Sequence, residues 1–166
     1  MTRKTRIRAA AVTFTALVTA ATVSAGVSQA GGSKPPHEPS KKQIAALFDR
    51  WNAALRTGDP EQVADLYAKD AVLLPTVSNK IRTNHAEIVD YFEHFLQNKP
   101  VGEKKRTIVN VLDPNSAIDT GVYEFTLTDP KTGAQRVVEA RYTYEYEKRG
   151  GKWLIVNHHS SAMPEG

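Results

Sequence analysis

Apolar positions change their spacing once along this chain, and the change divides it in two. Ile44, Leu47, Phe48, Trp51, Ala54 and Leu55 recur at helical intervals behind the capping box Ser40-Lys41-Lys42-Gln43, and Gly58 stops the run, which predicts a first helix. Asp59-Pro60 then supplies an N-cap and a first-turn proline, where the missing N–H costs nothing, and predicts a second helix with Val63, Leu66 and Tyr67 on its buried side. Ala71 to Leu74 reads as a short edge strand ended by Pro75. Asn84-His85-Ala86-Glu87 caps a third helix carrying Ile88, Tyr91, Phe92, Phe95 and Leu96.

From Lys104 onward the period becomes two. Thr107 to Leu112, Ala117 to Thr128, Ala134 to Glu147 and Lys152 to Ser161 are predicted strands, joined by the turn-forming stretches Asp113-Pro114-Asn115, Asp129 to Gly133 and Arg149-Gly150-Gly151. Such hairpins build one antiparallel sheet. Helices first and consecutive strands afterwards predict an α+β fold in which a curved sheet wraps the N-terminal helices. Parity assigns the faces: Val138, Ala140, Tyr142, Tyr144 and Tyr146 share the side expected to face the helices, as do Tyr123, Phe125 and Leu127. Glu139, Arg141, Thr143 and Glu145 share the other.

Composition modifies this picture mainly at the N-terminus. Arg3, Lys4, Arg6 and Arg8 precede an apolar run from Ala9 to Val23, and Ser28-Gln29-Ala30 offers small residues at a cleavage site, so residues 1–30 read as a signal peptide for export. Residues 31–40, with Pro35, Pro36 and Pro39, read as a stiff exposed leader, and residues 41–166 as one domain. The 22 Lys and Arg exceed the 18 Asp and Glu only through the four basic residues of the leader peptide, so the counts balance from Gly31 on. A neutral domain gives no electrostatic case for nucleic acid, or for a membrane partner once the signal is removed. Lys104-Lys105-Arg106 reads as a solvated strand start. Zero Cys excludes disulfides, thiolate chemistry and Cys-ligated metal.

The closing segment Gly151-Lys152-Trp153-Leu154-Ile155-Val156-Asn157-His158-His159-Ser160-Ser161-Ala162-Met163-Pro164 resembles the last strand of the calcium/calmodulin-dependent protein kinase II association domain, and the resemblance extends back to Lys41. That family belongs to the NTF2-like superfamily, which implies a cone: N-terminal helices packed in a curved antiparallel sheet. The chain also resembles the secreted SgcJ/EcaC-type group of that superfamily. In the kinase family three strand arginines line a deep pocket; here Tyr123, Tyr144 and Ser160 stand at those positions, so the ionic clamp for a carboxylate is missing. Ketosteroid-isomerase-like relatives use a carboxylate base before the proline after the first strand and a helix tyrosine as oxyanion donor. Leu74 and Trp51 are the nearest matches, and neither supplies that chemistry.

These residues define an expected site without an assigned catalytic group. Trp51, Tyr67 and Tyr91 from the helices are expected to converge with Tyr123, Tyr144, His158 and Ser160 from the sheet on a neutral, aromatic or polyketide-like ligand. His158 and His159 point to opposite faces of a regular strand, so they cannot share a metal ion, and no metal, haem, flavin or nucleotide cofactor is expected. The convex face, with His159 and Trp153, is expected to pair with a second copy as a homodimer at least. Three function classes stay open: an assembly and ligand-binding module without kinase activity, a cofactor-free isomerase- or cyclase-like enzyme, and a protein that sequesters a metabolite.

Overall fold

The structure, a computed structural model, describes residues 37–165; the expected signal peptide and most of the proline-rich leader lie outside these residues. The chain forms α1 (Lys41–Thr57), α2 (Pro60–Ala64), β1 (Tyr67–Leu74), α3 (His85–Phe95), a 3-10 turn (Leu96–Asn98), β2 (Val101–Asp113), β3 (Ser116–Thr128), β4 (Gln135–Arg149) and β5 (Lys152–Ala162). Each helix starts where its cap is written. Ser40 Oγ accepts from the Gln43 N–H while Gln43 reaches back to Ser40, Asp59 caps α2 ahead of Pro60, and Asn84 accepts from the Glu87 N–H. Gly58 ends α1 in the left-handed conformation at φ 72°, which a glycine adopts without strain.

The five strands lie in the order β1-β5-β4-β3-β2, a curved and unclosed sheet over the helices. Strands β2 to β5 pair antiparallel through their hairpins as the alternation predicts, but β1 joins β5 in parallel, with Leu73 opposite His158. Tyr67 belongs to this first strand and not to the second helix. Helix α2 stops after five residues, and the Leu66 carbonyl accepts the Ile155 N–H, which draws the chain into the sheet at once. Asp70 sits on β1 and pairs with Arg149.

The core fills the concave side. Ile44, Phe48, Trp51 and Leu55 of α1 and Ile88 and Phe92 of α3 meet Tyr123, Phe125, Leu127, Ala140, Tyr142, Tyr144 and Tyr146 of the sheet, all buried. Asn52 ties α1 to β2 through two bonds, accepting the Gly102 N–H at 2.9 Å and donating to the Gly102 carbonyl at 2.7 Å.

Bulges in β5 and β2 set local parity. In β5 the pairing runs Ile155 with Tyr146 and then Asn157 with Glu145, so Val156 is an extra residue. On its far side His158 and Ser160 face inward and His159 faces out, as parity predicts. On its near side the parity is reversed, so Trp153 turns inward beside Leu47, Leu66 and Tyr146, and the expectation that it shares the convex face with His159 is corrected. In β2 the register breaks at Lys105, and the Arg106 carbonyl crosses directly above Gly121.

Candidate functional site

The inner end of the sheet, where β3 and β5 finish and β4 begins, encloses a cavity with α3 and the loop after β1. Its walls are mostly rings and aliphatic chains, Trp51, Phe92, Phe95, Tyr123, Phe125 and Leu127, and the exposed Arg136 of β4 also lines it. Pro75, Thr76 and Val77 border it where β1 ends. The volume is ≈ 90 Å³, well above the roughly 15 Å³ one water needs and below the roughly 300 Å³ at which drug-sized ligands are held. A single ring suits it; a fused polyketide skeleton exceeds it.

Two hydrogen-bonded chains lie along the polar side. In the first, Trp51 Nε1–H donates to the Tyr67 hydroxyl at 3.1 Å, and that hydroxyl contacts His158 Nδ1 at 2.8 Å. In the second, the Tyr123 hydroxyl donates to Ser160 Oγ at 2.5 Å, and Ser160 also contacts the Thr76 hydroxyl. The chains join α1, β1 and β5 on one hand and β3, β5 and the loop after β1 on the other. His158 is 3% exposed, and burial pushes its imidazole down to about 3, helped by the charge of neighbouring His159, so the ring is neutral at physiological pH. Burial likewise pushes the Tyr123 hydroxyl well up and that of Tyr91 up to about 12. None of these groups holds a charge near pH 7.

The residues expected from sequence therefore divide. Trp51, Tyr91, Tyr123, His158 and Ser160 line the cavity. Tyr67 stands one layer behind it, holding Trp51 and His158. Tyr144 does not reach it: the ring is fully buried, stacked on His158 at 4.1 Å between centroids, and its hydroxyl has no partner. Inward parity alone cannot tell a wall from the core beneath it, which corrects the expectation that Tyr144 touches a ligand. Arg141 is exposed on the convex face, and β4 runs through that position without a bulge.

Other site features had weaker signals. Thr76 follows Pro75 in a loop with no periodicity. Arg82, on the same loop, is 8% exposed, donates to Ser78 and Lys80, and lies 5.7 Å over the Tyr91 ring beside the mouth. Asp119 was legible by parity, an acid on the inward face between Ala117 and Tyr123. It is fully buried away from the cavity, accepts from the Tyr142 hydroxyl at 3.1 Å, and desolvation pushes its carboxyl up to about 6 against that bond and the attraction of Lys104. Among the described residues no three His, Asp or Glu side chains gather as a metal site.

Comparison with known proteins places this geometry in a family. The family profile described as "Calcium/calmodulin dependent protein kinase II association domain" matches residues 40–164. A solved protein of Xanthomonas campestris, assigned to that association domain, is 58% identical, with a TM-score of 0.76 over 81% of this chain and 95% of its own. The association domain of the C. elegans kinase shares the fold at 14% identity, with a TM-score of 0.60 over 74% of this chain and 95% of its own. A ketosteroid isomerase-like protein of Erwinia carotovora does so at 18% identity, with a TM-score of 0.61 over 72% of this chain and 93% of its own. Comparison with curated proteins gave no match. The cone, its N-terminal helices and the match across nearly all the described residues show that the chain belongs to the calcium/calmodulin-dependent protein kinase II association domain family, within the NTF2-like fold.

Proposed function

We propose that this chain is an exported, self-associating module that holds a compact, neutral, largely apolar ligand in the cavity of its cone and carries no kinase activity. One observation carries the ligand reading: a space walled by aromatic rings, whose buried hydrogen-bonding groups, Tyr123, His158 and Ser160, are uncharged at neutral pH, while the charged Arg136 of its lining is exposed at the start of β4. Stacking and neutral hydrogen bonds supply affinity in such a site, while a free carboxylate held beside His158 and Ser160 would lose its hydration to neutral donors, Arg136 being exposed and Arg82 lying outside the lining. Two of the kinase family's arginine positions, held here by the lining residues Tyr123 and Ser160, support the same preference.

Self-association draws on the family's character and on the exposed side of the sheet, and export draws on residues 1–30. The enzymatic alternative is less supported. Leu74 stands where isomerase-like relatives need a base, and His158 is held neutral with no carboxylate to orient it.

Native mass spectrometry of the protein beginning at Gly31, bare and after exposure to a metabolite extract, tests the reading. A dimer or larger assembly that retains a small neutral adduct is the expected result. A monomer that takes up nothing would overturn it. Expression with the leader tests export separately: an exported protein whose N-terminus is uncleaved contradicts the processing.

A further inference from the structure

The tautomer of His158 follows from the chain that ends on it. Indole nitrogen can only donate, so the Trp51 N–H at 3.1 Å occupies a lone pair of the Tyr67 oxygen. The Tyr67 hydroxyl keeps one hydrogen, and His158 Nδ1, at 2.8 Å, is the acceptor it reaches. An accepting Nδ1 leaves the single hydrogen of a neutral imidazole on Nε2. That atom is buried and has no hydrogen-bond partner among the described residues, although His158 lies in the cavity wall. A buried donor without an acceptor is costly, so a group that satisfies it gains more than one that merely fills space.

The hydroxyl chain leaves a second hydrogen. Tyr123, Ser160 and Thr76 own three hydroxyl hydrogens and make two contacts with one another, so one hydrogen, on Ser160 or Thr76, stays uncommitted, and both residues line the cavity. His158 and Ser160 are two positions apart on the same face of β5, a spacing of roughly 7 Å. No Asp or Glu lines the cavity to accept a hydrogen from a ligand.

We infer that the cavity takes a neutral one-ring carbonyl compound, a ketone or aldehyde, whose oxygen accepts from His158 Nε2–H while its ring lies among Trp51, Phe92, Tyr123 and Phe125. This rests on the ligand-binding reading above and names the chemistry that reading leaves open. Donors that are neutral and fixed suit a carbonyl dipole, whereas a carboxylate brings a charge they cannot offset.

The test uses the protein from Gly31, labelled with ¹⁵N at histidine, titrated by NMR with acetophenone and with ethylbenzene, a near-isostere lacking the oxygen. The free protein is expected to show His158 protonated at Nε2. Acetophenone is expected to shift that N–H signal and to bind about tenfold more tightly than ethylbenzene, the effect of one net hydrogen bond. His158→Phe is expected to erase the difference between the two probes. Should that variant fail to fold, the tautomer and the shift in the unmodified protein still decide. Protonation at Nδ1, or equal affinity for both probes, overturns the inference and leaves an apolar binding cavity standing; no binding of either probe overturns the ligand reading as well.

Discussion

Asp119 and His158 are both buried, and they pull stability in opposite directions with pH. The Asp119 carboxyl is raised from 3.8 to about 6, so between those values the folded chain holds a proton the unfolded chain has lost. Stability from this group is present at low pH and is lost as pH rises through 6. The His158 imidazole is lowered from 6.5 to about 3, so in the overlapping window the unfolded chain binds the extra proton and stability falls as pH falls. Asp119→Asn removes the first effect alone. Because a tenfold difference in proton affinity is worth about 1.4 kcal/mol, the variant should gain about 1–3 kcal/mol near pH 7.5, shrinking towards pH 4. Urea denaturation at several pH values checks this, and a loss at pH 7.5 would show that the fold depends on the charged carboxylate. Tyr144 makes a simpler case. Its hydroxyl is buried and unpartnered, so Tyr144→Phe should leave stability unchanged or raise it by up to about 2 kcal/mol. A clear loss of stability by thermal denaturation would mean that the hydroxyl is satisfied.

Elements here are placed by a few close approaches. A Cβ on Gly121 would lie 1.8 Å from the Arg106 carbonyl oxygen, and backbone cannot swing aside as a side chain does. Gly121→Ala should therefore push β2 off β3 at the bulge and cost at least ~2 kcal/mol, read from the denaturation midpoint. An unchanged midpoint would mean that the bulge relaxes freely. Neither this contact nor the Val156 bulge is written locally. A regular alternation through β5 predicts His158, His159 and Ser160 correctly and then misplaces Trp153, because an extra residue reverses parity without leaving a mark in the pattern. The helix caps, by contrast, are chemistry between residues two or three apart, and all three stand where the sequence puts them. Tyr67 fails for a third reason. Its apolar spacing fits a helix, yet its hydroxyl and its backbone are claimed by Trp51 and by β5, partners that only tertiary structure brings near.

At the scale of the whole molecule, fold class and the inward face were readable from period and parity, while the boundary between cavity and core was not. Depth along the cone decides that boundary, and Tyr144 and Tyr123 have the same parity with different depths. The convex face offers a matching test of assembly. Val122 lies on it beside Arg141, with Ile118, Thr143 and His159 in neighbouring register. If copies pair through this face, the protein at tens of micromolar scatters light as a dimer or larger, and Val122→Asp shifts it to monomer by placing a charge in an apolar contact. A monomeric parent protein, or a variant that assembles as before, would move the interface elsewhere.

The link between Tyr67 and His158 spans 91 residues of chain, and the parallel β1–β5 pairing that carries it is the one strand contact no hairpin prepares. Closing so long a loop is entropically costly and gains nothing until the last strand arrives. A polypeptide still lacking β5 has neither His158 nor Ser160, and β1 keeps only the bridge between Leu73 and Arg82. The cavity is thus completed only once β5 has been made, and occupancy by a ligand would report the arrival of that strand, where helix content reports a chain barely begun.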